Sequence, residues 1–337
     1  MEKVLSVSIA AYNVETTLRE ALDVFTAAEV RDYVDVMIVD DGSKDATAKI
    51  ATEYEEKFPG TFRLISKKNG GWGSTLNTGM KNAIGRYFKQ LDGDDYYSIE
   101  NLKDFLVFLQ NSDADIVYSP FVTFTDLNGG ILRVVGNYEK YPKREKMQLK
   151  EIRDFVPAMH TLTVRTDILQ NNPIEITEHC FYTDVEFVLK CCNFSDTISF
   201  YEYPVYYYRL ARNGQSMSIE GVRKHYQDHL KMLSGMLAYE QTEVKKDCIR
   251  DMFQLRLLWA CEMQYTFFFA LKGTAQQKKE FREFDAMLKN QYPYYYDAVH
   301  GAPIRFLRAT NFTGYRLIGR MRMKKDKKMK RNIFEGN

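Results

Sequence analysis

Apolar residues in the first 120 positions switch between short runs and a helical spacing. Val4 to Ala11 forms a run, and Leu18, Ala21, Leu22 and Phe25 follow on one helical face. Val36 to Val39 is a second run, ended by Asp40, Asp41, Gly42 and Ser43, after which Thr47, Ile50, Ala51, Tyr54 and Phe58 return to helical spacing. Phe62 to Ile65 and Tyr87 to Leu91 predict two further strands, with Leu76, Gly79, Met80 and Ala83 on a helix between them. Strands alternating with helices in this way predict βαβ units and a mostly parallel, Rossmann-like sheet, an α/β fold.

A helix carrying Leu102, Phe105, Leu106 and Leu109 leads to a strand from Asp115 to Tyr118. Residues 121–135 read as a hairpin around Asn128, Gly129 and Gly130. Strand-like material is expected near His160 to Val164, a helix over Asp184 to Cys192, and aromatic strand material from Ile198 to Tyr208. Beyond Ser218 the chain is rich in Leu, Met, Lys, Glu and Gln and reads as helical, which divides it into an α/β domain over 1–215 and a mainly helical region with a basic tail over 216–337. In that region Trp259, Phe267, Phe268, Phe269 and Tyr294 to Tyr296 are expected to pack.

Composition narrows the class. A chain of 337 residues exceeds the size at which one core stops growing, and 45% hydrophobic with 14% aromatic residues excludes disorder as the main state. The net charge of +2 gives no reason to expect nucleic acid as a partner. Residues 316–337 nevertheless hold nine basic side chains against two acidic ones, interleaved with Leu317, Ile318, Met321 and Met323, a pattern suited to an anionic membrane surface. Five cysteines without a CxxC pair indicate neither a disulfide framework nor zinc. With no leader-like start and no run long enough to span a bilayer, the expected place is the cytoplasm, peripheral on the inner face of the membrane.

Ligands of open α/β sheets bind outside the carboxyl ends of the strands. Ala11, Tyr12 and Asn13 follow the first strand, Asp40 and Asp41 the second, Asn69 to Gly73 the third, and Asp92, Gly93, Asp94 and Asp95 the fourth. Three aspartates within four residues repel one another unless a cation neutralises them, and two hard carboxylates one residue apart suit Mg²⁺ or Mn²⁺.

The ordered segments SIAAYN, VDDGSKD, NGGWGSTLNTG and YFKQLDGDD closely resemble those of the inverting family 2 glycosyltransferases. The resemblance is strong over roughly the first 120 residues and weaker to about residue 218. It implies the nucleotide-sugar-binding GT-A fold with a C-terminal helical extension. It further implies an enzyme that moves a hexose or N-acetylhexosamine from a UDP-sugar to a saccharide or lipid-linked acceptor of surface-glycan assembly. By the same likeness Tyr12 stacks on the nucleobase, Asp41 accepts its ring N–H, Asp92 meets the ribose and helps hold the metal, and Asp94 is the principal metal ligand. Asp40 serves the turn, and Asp95 either supports the metal ligands or caps a helix. Ala11, Asn13, Asn69 and Gly71 line the nucleotide-sugar site. Arg209 approaches the diphosphate, with Ser216 and Ser218 nearby.

Glycosyl transfer also needs a base for the acceptor hydroxyl. Asp184, in HCFYTDVEFVLKC, resembles the family's acidic motif at a helix start, with Thr183 in place of the usual Glu; Glu186 and Glu178 are further candidates. One base opposite the diphosphate implies a single displacement with inversion. His160 lies where relatives contribute acceptor-site residues. The chain departs from the family at Leu76, where many relatives carry Arg, so a diphosphate cation must come from the metal, Lys67, Lys68 or Arg209. A different reading is a non-catalytic nucleotide-sugar scaffold or sensor, which would need the donor pocket but not Asp184.

Overall fold

The computed structural model describes residues 2–125, 130–136, 138–153, 155–210 and 218–317, and the chain divides into two units, Met1–Ala211 and Arg212–Asn337. In the first unit the predicted runs become strands, in the order β1 (Leu5–Ala11), α1 (Leu18–Asp23), α2 (Ala28–Arg31), β2 (Val34–Asp40), α3 (Thr47–Lys57), β3 (Phe62–Ser66), α4 (Trp72–Asn82), β4 (Tyr87–Asp92), β5 (Tyr96–Tyr97) and α5 (Ile99–Asn111). There follow β6 (Ile116–Tyr118), β7 (Phe121–Thr125), β8 (Gly130–Val135), β9 (Lys146–Gln148), β10 (Leu162–Arg165), α6 (Thr166–Asn171), α7 (Asp184–Asn193), β11 (Thr197–Phe200) and β12 (Tyr206–Leu210).

An eight-stranded sheet runs β3-β2-β1-β4-β10-β6-β11-β9. Its block β3-β2-β1-β4 is parallel, whereas β10 runs antiparallel to both neighbours. The chain moves outward from β1 through β2 to β3 and then returns to the other side of β1 as β4, which makes the β1/β4 edge a topological switch point. Register sets the strand ends level, since Ala11 pairs with Asp40, Asp40 with Ser66, and Ala10 with Asp92. The four predicted loops therefore begin along one rim.

The expected Ile198–Tyr208 strand is two strands. Glu202, Tyr203 and Pro204 interrupt it, because proline cannot donate to a ladder. β11 stays in the large sheet and β12 enters a second sheet ordered β5-β12-β7-β8. The predicted hairpin is β7 with β8, antiparallel, while its turn at Asn128 and Gly129 lies outside the described residues. β9, only three residues long, was too short to show a period.

The second unit comprises α8 (Ile219–Glu243), α9 (Asp247–Ala270), α10 (Ala275–Gln291), α11 (Pro293–Ala298) and α12 (Ala302–Ala309). Phe268 stacks on Phe281 at 4.4 Å, and Arg308 Nε donates to the buried Asp285 at 2.8 Å. Phe267, Phe268, Phe269 and Tyr295 are buried as expected, but Trp259 and Tyr294 are 45% and 51% exposed and belong to the surface. Among the described residues no helix is long and apolar enough to cross a membrane. Of the basic tail, residues 318–337 lie outside the described residues.

α4 lies so close to β1 that a Cβ on Gly79 would sit 2.1 Å from the buried Ser8 Oγ. Gly79→Ala should therefore overpack this contact and cost on the order of 1–3 kcal/mol, lowering Tm by about 3–10 °C in calorimetry. An unchanged Tm would contradict the close approach.

Candidate active site

The rim begins at β1. Ala11 accepts the Asp41 N–H at 2.9 Å, and Asp40 Oδ1 accepts the Ser43 N–H at 3.0 Å, so Asp40 serves its own turn. Asn13 adopts a left-handed φ of 53°, its N–H donates to Ser43 Oγ and its Oδ1 accepts the Lys44 N–H at 2.8 Å. These bonds fix the loop on which Tyr12 stands 48% exposed, an aromatic face open to a ligand.

Asp41 organises the glycine-rich loop. Its buried Oδ1 accepts from Gly70 N–H at 2.9 Å and Lys67 Nζ at 2.8 Å, while Oδ2 accepts from Gly71 N–H at 2.8 Å. A carboxylate oxygen has room for two donors, so Oδ2 retains capacity for one more. Asn69 Nδ2 donates to the Asp41 carbonyl at 3.0 Å, and Gly71, at φ 82°, turns the chain into α4. Lys67 is fully occupied, since its Nζ also donates to the Lys68 carbonyl and to Ser74 Oγ. Lys68 is exposed and Leu76 is buried.

At the end of β4, Asp92 Oδ1 accepts from the Trp72 indole at 2.8 Å and from Gln90 Nε2 at 3.2 Å. Burial, with the charge of Asp94 adding to it, pushes the Asp92 carboxyl up to about 7. Asp95 is buried and structural: Oδ2 accepts from Tyr206 Oη at 2.6 Å and Oδ1 from Arg209 N–H at 2.7 Å, and burial raises its pKa. Tyr206 Oη in turn accepts the Asp92 N–H at 3.2 Å. The guanidinium of Arg209 is held by the Asp94 carbonyl at 2.7 Å and by Glu20, over the Phe124 ring. Ser218 Oγ accepts the Gly221 N–H and caps α8, and Ser216 lies outside the described residues.

Asp184 opens α7, and its charge acts on both Asp92 and Tyr208, which sets it at the same rim. The segment leading to it is clamped against the glycine loop. His179 N–H donates to the Gly70 carbonyl at 2.6 Å, Asn77 Nδ2 and Oδ1 both bond Ile176, and a Cβ on Gly73 would lie 2.4 Å from the Thr177 carbonyl. His179 and Tyr182 hold left-handed φ values of 50° and 67°, a strain that clusters at functional sites. Glu186 is buried and accepts the Thr177 N–H at 2.9 Å, which makes it a member of the clamp, and Glu178 is exposed beside Asn77.

His160 sits in an aromatic cluster, with ring centroids 4.8 Å from Phe121 and 4.4 Å from Tyr208. Burial, and secondarily the charge of Lys89, pulls its pKa down to about 3, so the ring is neutral. The buried Lys89 donates to the His160 carbonyl at 2.8 Å and the Leu162 carbonyl at 3.2 Å, and burial lowers its pKa to about 7.

The structure thus joins Ala11, Asn13, Asp41, Asn69, Gly71, Asp92, Asp94, Asp184 and Arg209 through bonds and fields along one rim, with His160 reached through Tyr208. Sequence reasoning missed Trp72, Gln90, Tyr206 and Glu20. Trp72 lay inside the glycine-rich motif; Tyr206 and Glu20 meet the site only through pairings across more than 100 residues of chain. Among the described residues no three His, Cys, Asp or Glu form a metal cage. Asp92 and Asp94 nonetheless offer hard oxygen donors whose mutual repulsion a divalent cation would relieve.

This sheet, with its switch-point carboxylates and helical extension, is the GT-A fold of nucleotide-sugar enzymes. The profile of glycosyl transferase family 2 matches residues 6–171 of the chain. An uncharacterized glycosyltransferase of Rickettsia prowazekii is 35% identical over 161 residues, 47% of each chain. The poly(ribitol-phosphate) β-N-acetylglucosaminyltransferase TarS of Staphylococcus aureus is 27% identical over 215 residues, 63% of this chain and 36% of TarS. The chain spans about half the length, or less, of the curated relatives it matches. A crystal structure of TarS 1-349 with UDP-GlcNAc superposes with a TM-score of 0.58 at 20% identity, over 95% of this chain and 92% of that one. A mannosyltransferase of Pyrobaculum calidifontis with GDP-Man and Mn²⁺ gives 0.54 at 14% identity, over 100% and 89%.

Because the folded pKa of Asp92, about 7, lies above its unfolded value of about 3.9, the native state keeps a proton that the unfolded chain releases. The contribution of this group to stability therefore falls as pH rises from about 4 through 7. Asp92→Asn should stabilise the metal-free protein at pH 8 by on the order of 1–3 kcal/mol and have little effect at pH 4, read from denaturant midpoints. Equal effects at both values would contradict the assignment.

Proposed function

We propose that this chain transfers a hexose or N-acetylhexosamine from a UDP-sugar to a saccharide or lipid-linked acceptor, with inversion. The observation that carries the reading is the meeting of Asp184 with Asp92 and Asp94 beside the glycine loop. The Tyr12 ring stacks on the base, and the remaining capacity of Asp41 Oδ2 accepts the uracil imide N–H, which acceptor-only edges lack. Asp92 meets the ribose. Asp94, aided by Asp92, holds Mg²⁺ or Mn²⁺. When bound, such an ion supplies Lewis-acid stabilisation to a leaving diphosphate. The backbone of Gly71, at the start of α4, lets anionic oxygens approach the helix N-terminus. Since the three Lys67 donors are committed and Arg209 is drawn toward the Asp94 carbonyl and Glu20, Lys68 is the cation for the outer phosphate in place of the family arginine at Leu76.

On the opposite face Asp184 takes the acceptor proton as the acceptor oxygen bonds to C1. The C1–phosphate bond breaks with its electron pair leaving on UDP, and one displacement inverts the anomeric centre. The UDP-GlcNAc bound by TarS and the Mn²⁺ of the archaeal mannosyltransferase support this choice of donor and ion. The test is UDP release from UDP-GlcNAc and other UDP-sugars with Mn²⁺. Asp184→Asn should lower kcat by about 10²–10⁴-fold while leaving donor affinity within about threefold. Wild-type turnover in that variant would refute the base, and donor binding with no release by the wild type would favour a scaffold.

A further inference from the structure

Tyr208 packs its ring on His160 at 4.4 Å and on Phe121 at 6.4 Å, yet its hydroxyl has no hydrogen-bond partner among the described residues. It stands two residues from Tyr206 on β12, and residues two apart in a strand point to the same face. Tyr206 Oη sits directly on the Asp92 N–H and the Asp95 carboxylate, so Tyr208 is the next side chain along the wall of the site. The His160 ring lies against both tyrosines, 4.8 Å from Tyr206, and keeps the two side by side. Tyr208 is half-buried rather than enclosed, which leaves its polar end within reach of a ligand.

Burial and the charges of Asp95, Asp92, Asp94 and Asp184 raise the Tyr208 pKa, so the hydroxyl stays protonated and available as a donor. The surroundings are rich in acceptors. A ligand group that both accepts from a phenol and donates to carboxylates fits there, as a sugar hydroxyl does; a bare phosphate oxygen would face like charge. We propose that Tyr208 is a further specificity-determining residue, whose hydroxyl donates to a saccharide hydroxyl lying between it and the site carboxylates. The proposal rests on the transferase reading and adds the residue that reads the sugar.

Tyr208→Phe in the full chain removes one oxygen and keeps the ring on His160. Binding of UDP and of UDP-GlcNAc, each with Mn²⁺, is measured by calorimetry, and UDP release is measured across a panel of p-nitrophenyl glycoside acceptors. A loss of about tenfold in UDP-GlcNAc affinity, with UDP affinity unchanged, assigns the contact to the transferred sugar. Unchanged donor binding with an acceptor KM raised about tenfold assigns it to the acceptor sugar. A purely structural role would weaken UDP and UDP-GlcNAc alike, and that result, or no change in either arm, overturns the proposal. If the wild type neither binds UDP nor releases it, the transferase reading itself falls. An active wild type matched by the variant removes only the role of Tyr208.

Discussion

Carboxylates crowd at the one place where the parallel sheet changes direction. Register brings Asp92 beside Ala10 and Asp40 beside Ala11, and the turn after β4 adds Asp94 and Asp95. Burial and mutual repulsion raise the pKa values of Asp92 and Asp95, so the folded protein bears a cost for keeping them together. It offsets part of that cost with fixed donors: Trp72 and Gln90 to Asp92, Tyr206 and the Arg209 backbone to Asp95. Strain of this kind is maintained where function needs it.

The second sheet and the α7 approach are best understood as supports for that cluster. β12 pairs with β5, immediately after the aspartates, and contributes Tyr206, Tyr208 and Arg209 from one short strand. On the other side Asp41 holds Gly70 and Gly71, Gly70 holds His179, and Glu186 holds Thr177. A continuous chain of hydrogen bonds thus runs from the β2 end to the helix that presents Asp184. Gly73 admits the approach because any side chain there would strike the Thr177 carbonyl.

The parallel half of the sheet was legible because each strand announces itself as an apolar run and each ends in Asp, Asn or Gly. Asp41, Asp92, Asp94 and Asp184 could be found for the same reason, being short-range features at strand and helix ends. What escaped was long-range. The break at Pro204 was visible, but that β12 leaves the large sheet follows from its pairing with β7, about 85 residues upstream. Lys67 looked like an available cation, and only the fold shows Asp41, Ser74 and the Lys68 carbonyl taking its three donors; that Glu20 pairs with Arg209 across the fold is likewise a tertiary fact. Glu186 looked like a possible base, and its burial behind the Thr177 amide is likewise a tertiary fact. Trp259 and Tyr294 looked like core and lie at the surface, since an aromatic in a helix carries no label for its face.

The proposed transfer requires the crowded aspartates to hold an ion that meets a nucleotide diphosphate. A crystal grown with UDP and Mn²⁺, examined at the manganese absorption edge, tests it most directly. An anomalous peak about 2.1–2.3 Å from an Asp94 oxygen, with the diphosphate along Gly71, is the expected result. UDP bound with no manganese near Asp92 or Asp94, or a cleft left empty by both, would contradict the account.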